Sequence, residues 1–417
     1  MDIFERRESE VRGYCRLYPA VFDKAENALQ FDEDGNRYID FFAGAGVLNF
    51  GHNPPAMKEA LIDYLSANGV AHSLDMSTTA KRTFLSAFEN IILTPRSLDY
   101  KVQFTGPTGT NSVEAALKLA RKVTGRRQVV AFTHAYHGMT LGALAVTGNA
   151  KFRNAAGVPL DGVIRLPFDG YAGAGDTSLH ALREALADSS SGMEPPAAFI
   201  VETVQAEGGV NVASGEWLRA VQALAREHDS LFIVDDIQVG CGRTGTYFSF
   251  EDMGLDPDLV CMAKGIGGFG LAMAVLLIKP EYDQWSPGEH TGTFRGQNLA
   301  FVAGARALDY FRDDKLLREV RDKGGRMHER LAAIMKEHGR GRWTVRGRGM
   351  IQSLDTGDGQ VAAAVLRRAF ERGLLIGTCG TDGRVLKVMP PLTIEDGVLD
   401  EGLDILRAAL AGEAADA

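Results

Sequence analysis

Leu231-Phe232-Ile233-Val234-Asp235-Asp236-Ile237-Gln238 is an apolar run that stops on two acids and an amide. Four consecutive apolar residues without polar alternation are the pattern of a strand buried on both faces, as strands of parallel sheets are. The same pattern recurs on either side. Strands are predicted at Gln128–Phe132, Gly162–Leu166, Ala198–Glu202, Leu231–Asp235, Leu259–Ala263 and Ala272–Ile278, with helices at Asn111–Val123, Leu179–Ala187 and Glu216–His228 between them. That alternation gives an α/β fold, a mostly parallel central sheet covered by helices on both faces.

The chain ends read differently. Ala28–Phe31 and Tyr38–Phe42 flank Asp32-Glu33-Asp34-Gly35-Asn36-Arg37, a run rich in turn residues and so a hairpin. Towards the other end, a charged helix over Lys315–His338 leads to Trp343–Leu354, a helix near Gln360–Arg372, a strand at Val385–Val388 and a closing helix. This order describes a smaller α/β domain, and the final Ala411-Gly412-Glu413-Ala414-Ala415-Asp416-Ala417 reads as a frayed tail. The expected division is an N-terminal arm and part of the small domain over 1–54, a large domain over 55–315 and a C-terminal small domain over 316–417.

A net charge of −9 argues against non-specific binding to nucleic acid or anionic membranes. The start, MDIFERRESE, lacks the apolar core of a secretory signal, and no stretch approaches the roughly 20 apolar residues of a spanning helix. Cys15, Cys241, Cys261 and Cys379 form no C-x-x-C pair, which points to reduced thiols and a cytoplasmic protein. The histidines show no metal-ligand spacing, so no metal is expected.

Ligands of open parallel sheets sit beyond the carboxyl ends of the strands. Three successive strands here deliver Glu202 (with Gln205 and Glu207 just after it), Asp235 (with Gln238) and Lys264 (followed by Gly265-Ile266-Gly267-Gly268). Desolvation lowers the pKa of a lysine and makes it a nucleophile towards carbonyls. An acid one strand away can hold a protonated pyridine nitrogen, the partner that lets pyridoxal phosphate act as an electron sink. Any one of these residues is more often solvated or salt-bridged; the Asp-then-Lys order with flanking glycines is what points to a site.

Such a cofactor needs a phosphate cradle. Phe104-Thr105-Gly106-Pro107-Thr108-Gly109-Thr110-Asn111 precedes a helix whose first N–H groups and dipole favour an anion, and it lacks the G-x-x-x-x-G-K-[ST] of a nucleotide loop. Gly292-Thr293, within His290-Thr291-Gly292-Thr293-Phe294-Arg295-Gly296, is a second candidate. Tyr136, in Ala135-Tyr136-His137-Gly138, could stack on a ring or belong to the core.

Together these segments resemble the class III (ω-amino acid) aminotransferases of the fold-type I pyridoxal-phosphate superfamily, over nearly the whole chain. The family signature D-E-V-Q-x-G-x-G-R-T-G stands here as Asp235-Asp236-Ile237-Gln238-Val239-Gly240-Cys241-Gly242-Arg243-Thr244-Gly245. The resemblance implies pyridoxal 5'-phosphate, with Asp235 on the pyridine nitrogen, Gln238 near the ring hydroxyl and Lys264 as the covalent lysine. It implies Gly109 and Thr110 on the phosphate, with Thr293 reaching across from a second subunit, and hence a homodimer or a dimer of dimers. Tyr136 would stack on the ring with His137 and Gly138 beside it, and Glu202 and Glu207 match the acids of E-P-x-Q-G-E-G-G.

Within that family the likeness is nearest to the diaminobutyrate–2-oxoglutarate transaminases used in ectoine synthesis. It is carried by Arg12-Gly13-Tyr14-Cys15-Arg16, by Gln103–Asn111, by Val201–Gln205 and by Gly288–Gly296. Ornithine, lysine or 4-aminobutyrate donors, a mutase or racemase, and a non-catalytic protein of the same fold are the alternatives. Three positions depart from the family: Asp236 for Glu, Arg295 for Gly, and Lys387 for the arginine that clamps the α-carboxylate of oxoglutarate. Lysine keeps the charge and loses the bidentate fork. Glu207 would occupy this basic group and swing away for the keto acid, with Arg295 or Arg16 as further candidates for its carboxylate.

Overall fold

The computed structural model describes residues 3–173, 177–339 and 341–415. Its central sheet has seven strands in the order Lys101–Gly106, Ala274–Ile278, Leu259–Met262, Leu231–Asp235, Ala198–Val201, Val129–Phe132 and Val163–Leu166. Ala274–Ile278 runs antiparallel to both its neighbours, and the other strands are parallel to one another. The six strands expected from apolar runs are therefore present, each within two residues of its expected ends.

The seventh strand, Lys101–Gly106, is not among those expected from apolar runs. It forms a sheet edge, its first residues are exposed or half-buried, and Lys101, Gln103 and Thr105 interrupt its apolar pattern. An edge strand is not selected for a continuous apolar run.

Burying Leu231, Phe232, Ile233 and Val234 completely, at about 1.5–3 kcal/mol per side chain, carries the acids that follow them into the same dry interior. The register fixes what stands at the strand ends. Val234 pairs with Val201 on one side and Val260 on the other, so Glu202, Asp235 and the residues after Met262 emerge at one edge.

The helix Gly109–Thr124 begins at that edge. Thr108 precedes it, and its N–H and hydroxyl both donate to Asn111 Oδ1, at 3.2 and 2.9 Å. The helix buries Val113, Ala116, Leu117 and Ala120. Its first N–H groups, which have no partner within the helix, are thereby held open beside the ends of the strands.

The two chain ends meet in one sheet. Phe22–Glu26, Leu29–Asp32 and Arg37–Asp40 form an antiparallel meander, and Leu374–Leu375 adds to it parallel to Arg37–Asp40. Asp32 Oδ1 accepts from the N–H groups of Asp34 and Asn36, which closes the turn expected there. A second sheet joins Thr344–Arg348, Ile351–Asp355, Val385–Val388 and Gly377–Cys379. Fully buried Arg243 ties these parts together, donating to the carbonyls of Met350 and Pro390 and to Asn49 Oδ1.

The expectation of a frayed tail is corrected. The closing helix runs over Asp396–Ala415, because Leu399, Leu403, Leu406 and Leu410 form one buried stripe and the alanine-rich end favours continuation. Residues 416 and 417 lie outside the described residues. Among the described residues no helix is long and apolar enough to cross a membrane, and no cluster of three or more His, Cys, Asp or Glu could hold a metal.

Candidate active site

A cavity of about 400 Å³ opens at the carboxyl edge of the sheet, and Lys264, Asp235, Gln238, Tyr136 and Thr110 all line it. Lys264 follows the strand Leu259–Met262 by two residues and takes a left-handed φ of 53°. That conformation is strained for lysine and turns the chain sharply at this residue. Burial lowers the Lys264 pKa to about 8, against the opposing pull of Glu207.

Asp235 is 5% exposed and held from two sides. His137 Nδ1 lies 2.7 Å from Asp235 Oδ2, and the Ile237 N–H donates to Asp235 Oδ1 at 3.1 Å. A carboxylate only accepts, so His137 Nδ1 carries the proton between them. His137 is itself fixed by its N–H to Thr147 Oγ1, at 2.9 Å, and its Nε2 is buried with no partner among the described residues. His137 therefore stands behind Asp235 as well as lining the cavity.

Glu202 is buried one strand further on and accepts from the Tyr136 N–H at 2.9 Å. Burial, reinforced by the nearby charge of Asp235, raises its pKa well above the carboxylate range. Glu202 thus holds the backbone of Tyr136 in place. The Tyr136 ring lines the cavity and meets Phe152 edge-on, with ring centres 5.8 Å apart.

Glu207 and Lys387 form an ion pair, and Gln238 Nε2 donates to the same Glu207 oxygen at 3.1 Å and to the Ala45 carbonyl at 2.6 Å. Lys387 is 2% exposed, a buried ion rather than a surface charge. Burial would raise the Glu207 carboxyl, but Lys387 and Lys264 pull it below its ordinary value. Burial would likewise lower the Lys387 ammonium, and Glu207 raises it.

At the helix N-terminus Thr110 Oγ1 lies 2.6 Å from Thr140 Oγ1, which donates to Glu114. Two glycines keep this corner open. A Cβ on Gly138 (φ 128°) would lie 2.4 Å from Thr110 Oγ1, and one on Gly109 would lie 2.9 Å from Ile237.

Tyr14, Met139 and Phe152 also line the cavity and escaped the sequence reading as site residues. Burial and the Glu207 charge raise the Tyr14 hydroxyl. Tyr14 sits on an N-terminal helix of four residues, too short to show a periodic pattern. Its only signal was the Arg12–Arg16 likeness.

Other candidates lie elsewhere. Thr293 is exposed, and its carbonyl accepts from His72; Arg295 donates to the Thr291 carbonyl. Neither lines the cavity of its own chain. Arg16 pairs with Glu10 at the surface. A larger hollow of about 830 Å³ adjoins the cavity, and Tyr136, Phe152 and Glu207 line both.

The donor set fits pyridoxal phosphate. A buried acid is available for a pyridinium, and a half-desolvated lysine for a carbonyl. Gln238 Oε1 is buried with no partner among the described residues, and two glycines hold space at a helix N-terminus for an anion.

The class III aminotransferase family model matches residues 12–410. The chain is 52% identical over 413 residues to a diaminobutyrate–2-oxoglutarate transaminase of Bordetella parapertussis, covering 99% of this chain and 95% of that one. It is 54% identical over 407 residues to another from Streptomyces anulatus, covering 97% and 96%. An ornithine aminotransferase from Toxoplasma gondii superposes with a TM-score of 0.86 at 26% identity, over 99% of this chain and 94% of that one. A second structure of the Toxoplasma enzyme is described with pyridoxal phosphate at partial occupancy in its active site.

Proposed function

The chain belongs to the class III aminotransferases, and on that premise we propose that it moves the 4-amino group of L-2,4-diaminobutyrate to 2-oxoglutarate. The products are aspartate 4-semialdehyde and glutamate, and the reaction is reversible. The observation that carries the chemistry is half-buried Lys264 one strand from Asp235 at a shared cavity. The choice of diaminobutyrate is supported by the relatives that match this chain from end to end.

Pyridoxal phosphate, when bound, supplies a carbonyl that condenses with amines and a ring that withdraws electrons from the adjoining carbon. Lys264 would hold the cofactor through its Nζ, and the same amine is placed to act as the base for the proton at C4 of the donor. Its pKa of about 8 leaves roughly a tenth of the amine unprotonated at pH 7, a far larger share than an ordinary lysine at about 10.4 would have. Asp235 would keep the pyridine nitrogen protonated, with His137 fixing the carboxylate. Gln238 would hold the ring hydroxyl and Tyr136 would cover the ring, with Glu202 fixing the Tyr136 backbone.

Gly109, Thr110 and the first N–H groups of their helix hold the phosphate. Thr293 completes that cradle in a second subunit, which makes a homodimer, or a dimer of dimers, the working unit. Its place outside its own chain's cavity supports this reading. Lys387, balanced by Glu207, stands where the keto acid's carboxylate is received. The free cysteines support a cytoplasmic enzyme, and ectoine synthesis is the pathway we favour.

The test is a donor panel with 2-oxoglutarate as acceptor. Diaminobutyrate should exceed ornithine, lysine and 4-aminobutyrate in kcat/KM. A clear preference for 4-aminobutyrate would sink the assignment, and turnover without any keto acid would favour a mutase or racemase.

A further inference from the structure

Glu207 keeps one carboxylate oxygen in reserve. Its Oε1 is used twice, by Lys387 Nζ and by Gln238 Nε2 at 3.1 Å. Its Oε2 takes no hydrogen bond among the described residues. The Glu207 side chain is 27% exposed, whereas that of Lys387 is 2% exposed. The partly open face belongs to the wall shared by the cavity and the larger hollow.

This is a fixed acceptor, because two donors on Oε1 set the orientation of the carboxylate and little rearrangement is needed for Oε2 to bind. Lys387 cancels the charge of Glu207 on the dry side, where an unpaired ion would be costly. On the open side the geometry still suits a cation. Glu207 and Lys264 line the same cavity, which brings this acid within reach of a donor whose amine meets Lys264.

We propose that Glu207 Oε2 receives the second ammonium group of a diamine donor, the α-ammonium of diaminobutyrate while the 4-amine meets Lys264. This makes Glu207 a specificity-determining residue in addition to the partner of Lys387, and it rests on the diaminobutyrate reading above. A site built to bind a substrate N–H discriminates against the analogue that lacks it, because the acceptor is then left without its partner. The same oxygen repels a second carboxylate. The glutamate half-reaction therefore gains nothing from Oε2.

Three donors separate the contributions. 4-Aminobutyrate is diaminobutyrate without the α-amine, and 1,3-diaminopropane is diaminobutyrate without the carboxylate. Each is mixed with the cofactor-loaded enzyme, and the spectral change of a single turnover gives affinity and rate. A donor too slow to react is measured as a competitor of diaminobutyrate.

Glu207→Gln should weaken diaminobutyrate and 1,3-diaminopropane about tenfold or more, the scale of one charge-assisted hydrogen bond. It should change 4-aminobutyrate far less, because that donor has no second ammonium to place at Oε2. Glu207→Asp, which keeps the charge, should restore part of the preference for the two diamines. An equal loss for all three donors would overturn the proposal and leave Glu207 acting through Lys387 alone. A wild-type enzyme inactive on diaminobutyrate but active on 4-aminobutyrate is a different outcome. It would refute the proposed function itself.

Discussion

His137 and Asp235 form a buried pair at the cavity wall, Nδ1 to Oδ2 at 2.7 Å, and His137 has nothing else among the described residues to bind through its ring. The pair sets the direction of the Asp235 carboxylate. His137→Phe removes the donor and leaves a buried acceptor oxygen short of a partner, at about 1–3 kcal/mol. Transamination should fall in kcat by roughly tenfold or more, with little change in the KM for the amine. His137→Asn, which can still donate, should recover part of the loss. A mutant with a raised KM and an unchanged kcat would place His137 on the substrate rather than behind Asp235.

Lys264 should govern how the enzyme takes up its cofactor. Its pKa lies near 8 in place of 10.5, chiefly through burial. The free amine is the nucleophile, so its fraction grows with pH and levels off above about 8. The rate at which cofactor-free enzyme recaptures pyridoxal phosphate, followed by absorbance, should show that profile. A rate still rising steeply beyond pH 9.5 would mean an ordinary, solvated lysine. Lys264→Ala should leave only dissociable cofactor and no measurable turnover.

The sheet and the lysine proposed to hold the cofactor were legible because burial writes itself into composition. Leu231–Val234 and Leu259–Met262 are apolar throughout, and a charged residue just past such a run stands out. The edge strand Lys101–Gly106 and Tyr14 left no such mark, since one is half-exposed and the other sits in a single helical turn. The burial of Lys387 was equally hidden. In Val385–Val388 a lysine flanked by apolar residues looks like the solvent side of an alternating strand. Only the distant Glu207 makes its burial tolerable.

The phosphate corner gives a geometric prediction. A Cβ on Gly138 would lie 2.4 Å from Thr110 Oγ1, at a φ of 128° that L side chains rarely adopt. Gly138→Ala should displace Thr110 and weaken cofactor affinity by about tenfold or more, since one charge-assisted hydrogen bond is worth roughly 1.5–3 kcal/mol. Equilibrium dialysis of the cofactor reads this directly. Inorganic phosphate should compete for the same corner in wild type and more weakly in the mutant. Unchanged affinity for both would move the phosphate site away from Thr110.

Asp236, where the family signature carries glutamate, links stability to pH. It is 1% exposed, and burial raises its pKa from 3.8 to about 7, although the Ser249 N–H lies 3.2 and 3.3 Å from its two oxygens and favours the charged form. In the unfolded chain the group titrates near its ordinary value of about 3.9. Between these two values the folded protein holds a proton that the unfolded chain has released. The contribution of Asp236 to stability is therefore fully present below about pH 4, is lost as pH rises towards 7, and stays lost above. Asp236→Asn cannot ionise and still accepts from Ser249 through its amide oxygen. It should raise the melting temperature by a few degrees at pH 8, for a gain of roughly 1–3 kcal/mol. At pH 5 the gain should shrink to well under half, because the aspartate is then already neutral in the fold while the unfolded chain still releases its proton. Thermal melts of both proteins at the two pH values, at one scan rate, decide the matter. A gain of equal size at pH 5 and pH 8 would mean that the carboxyl is not the titrating cause.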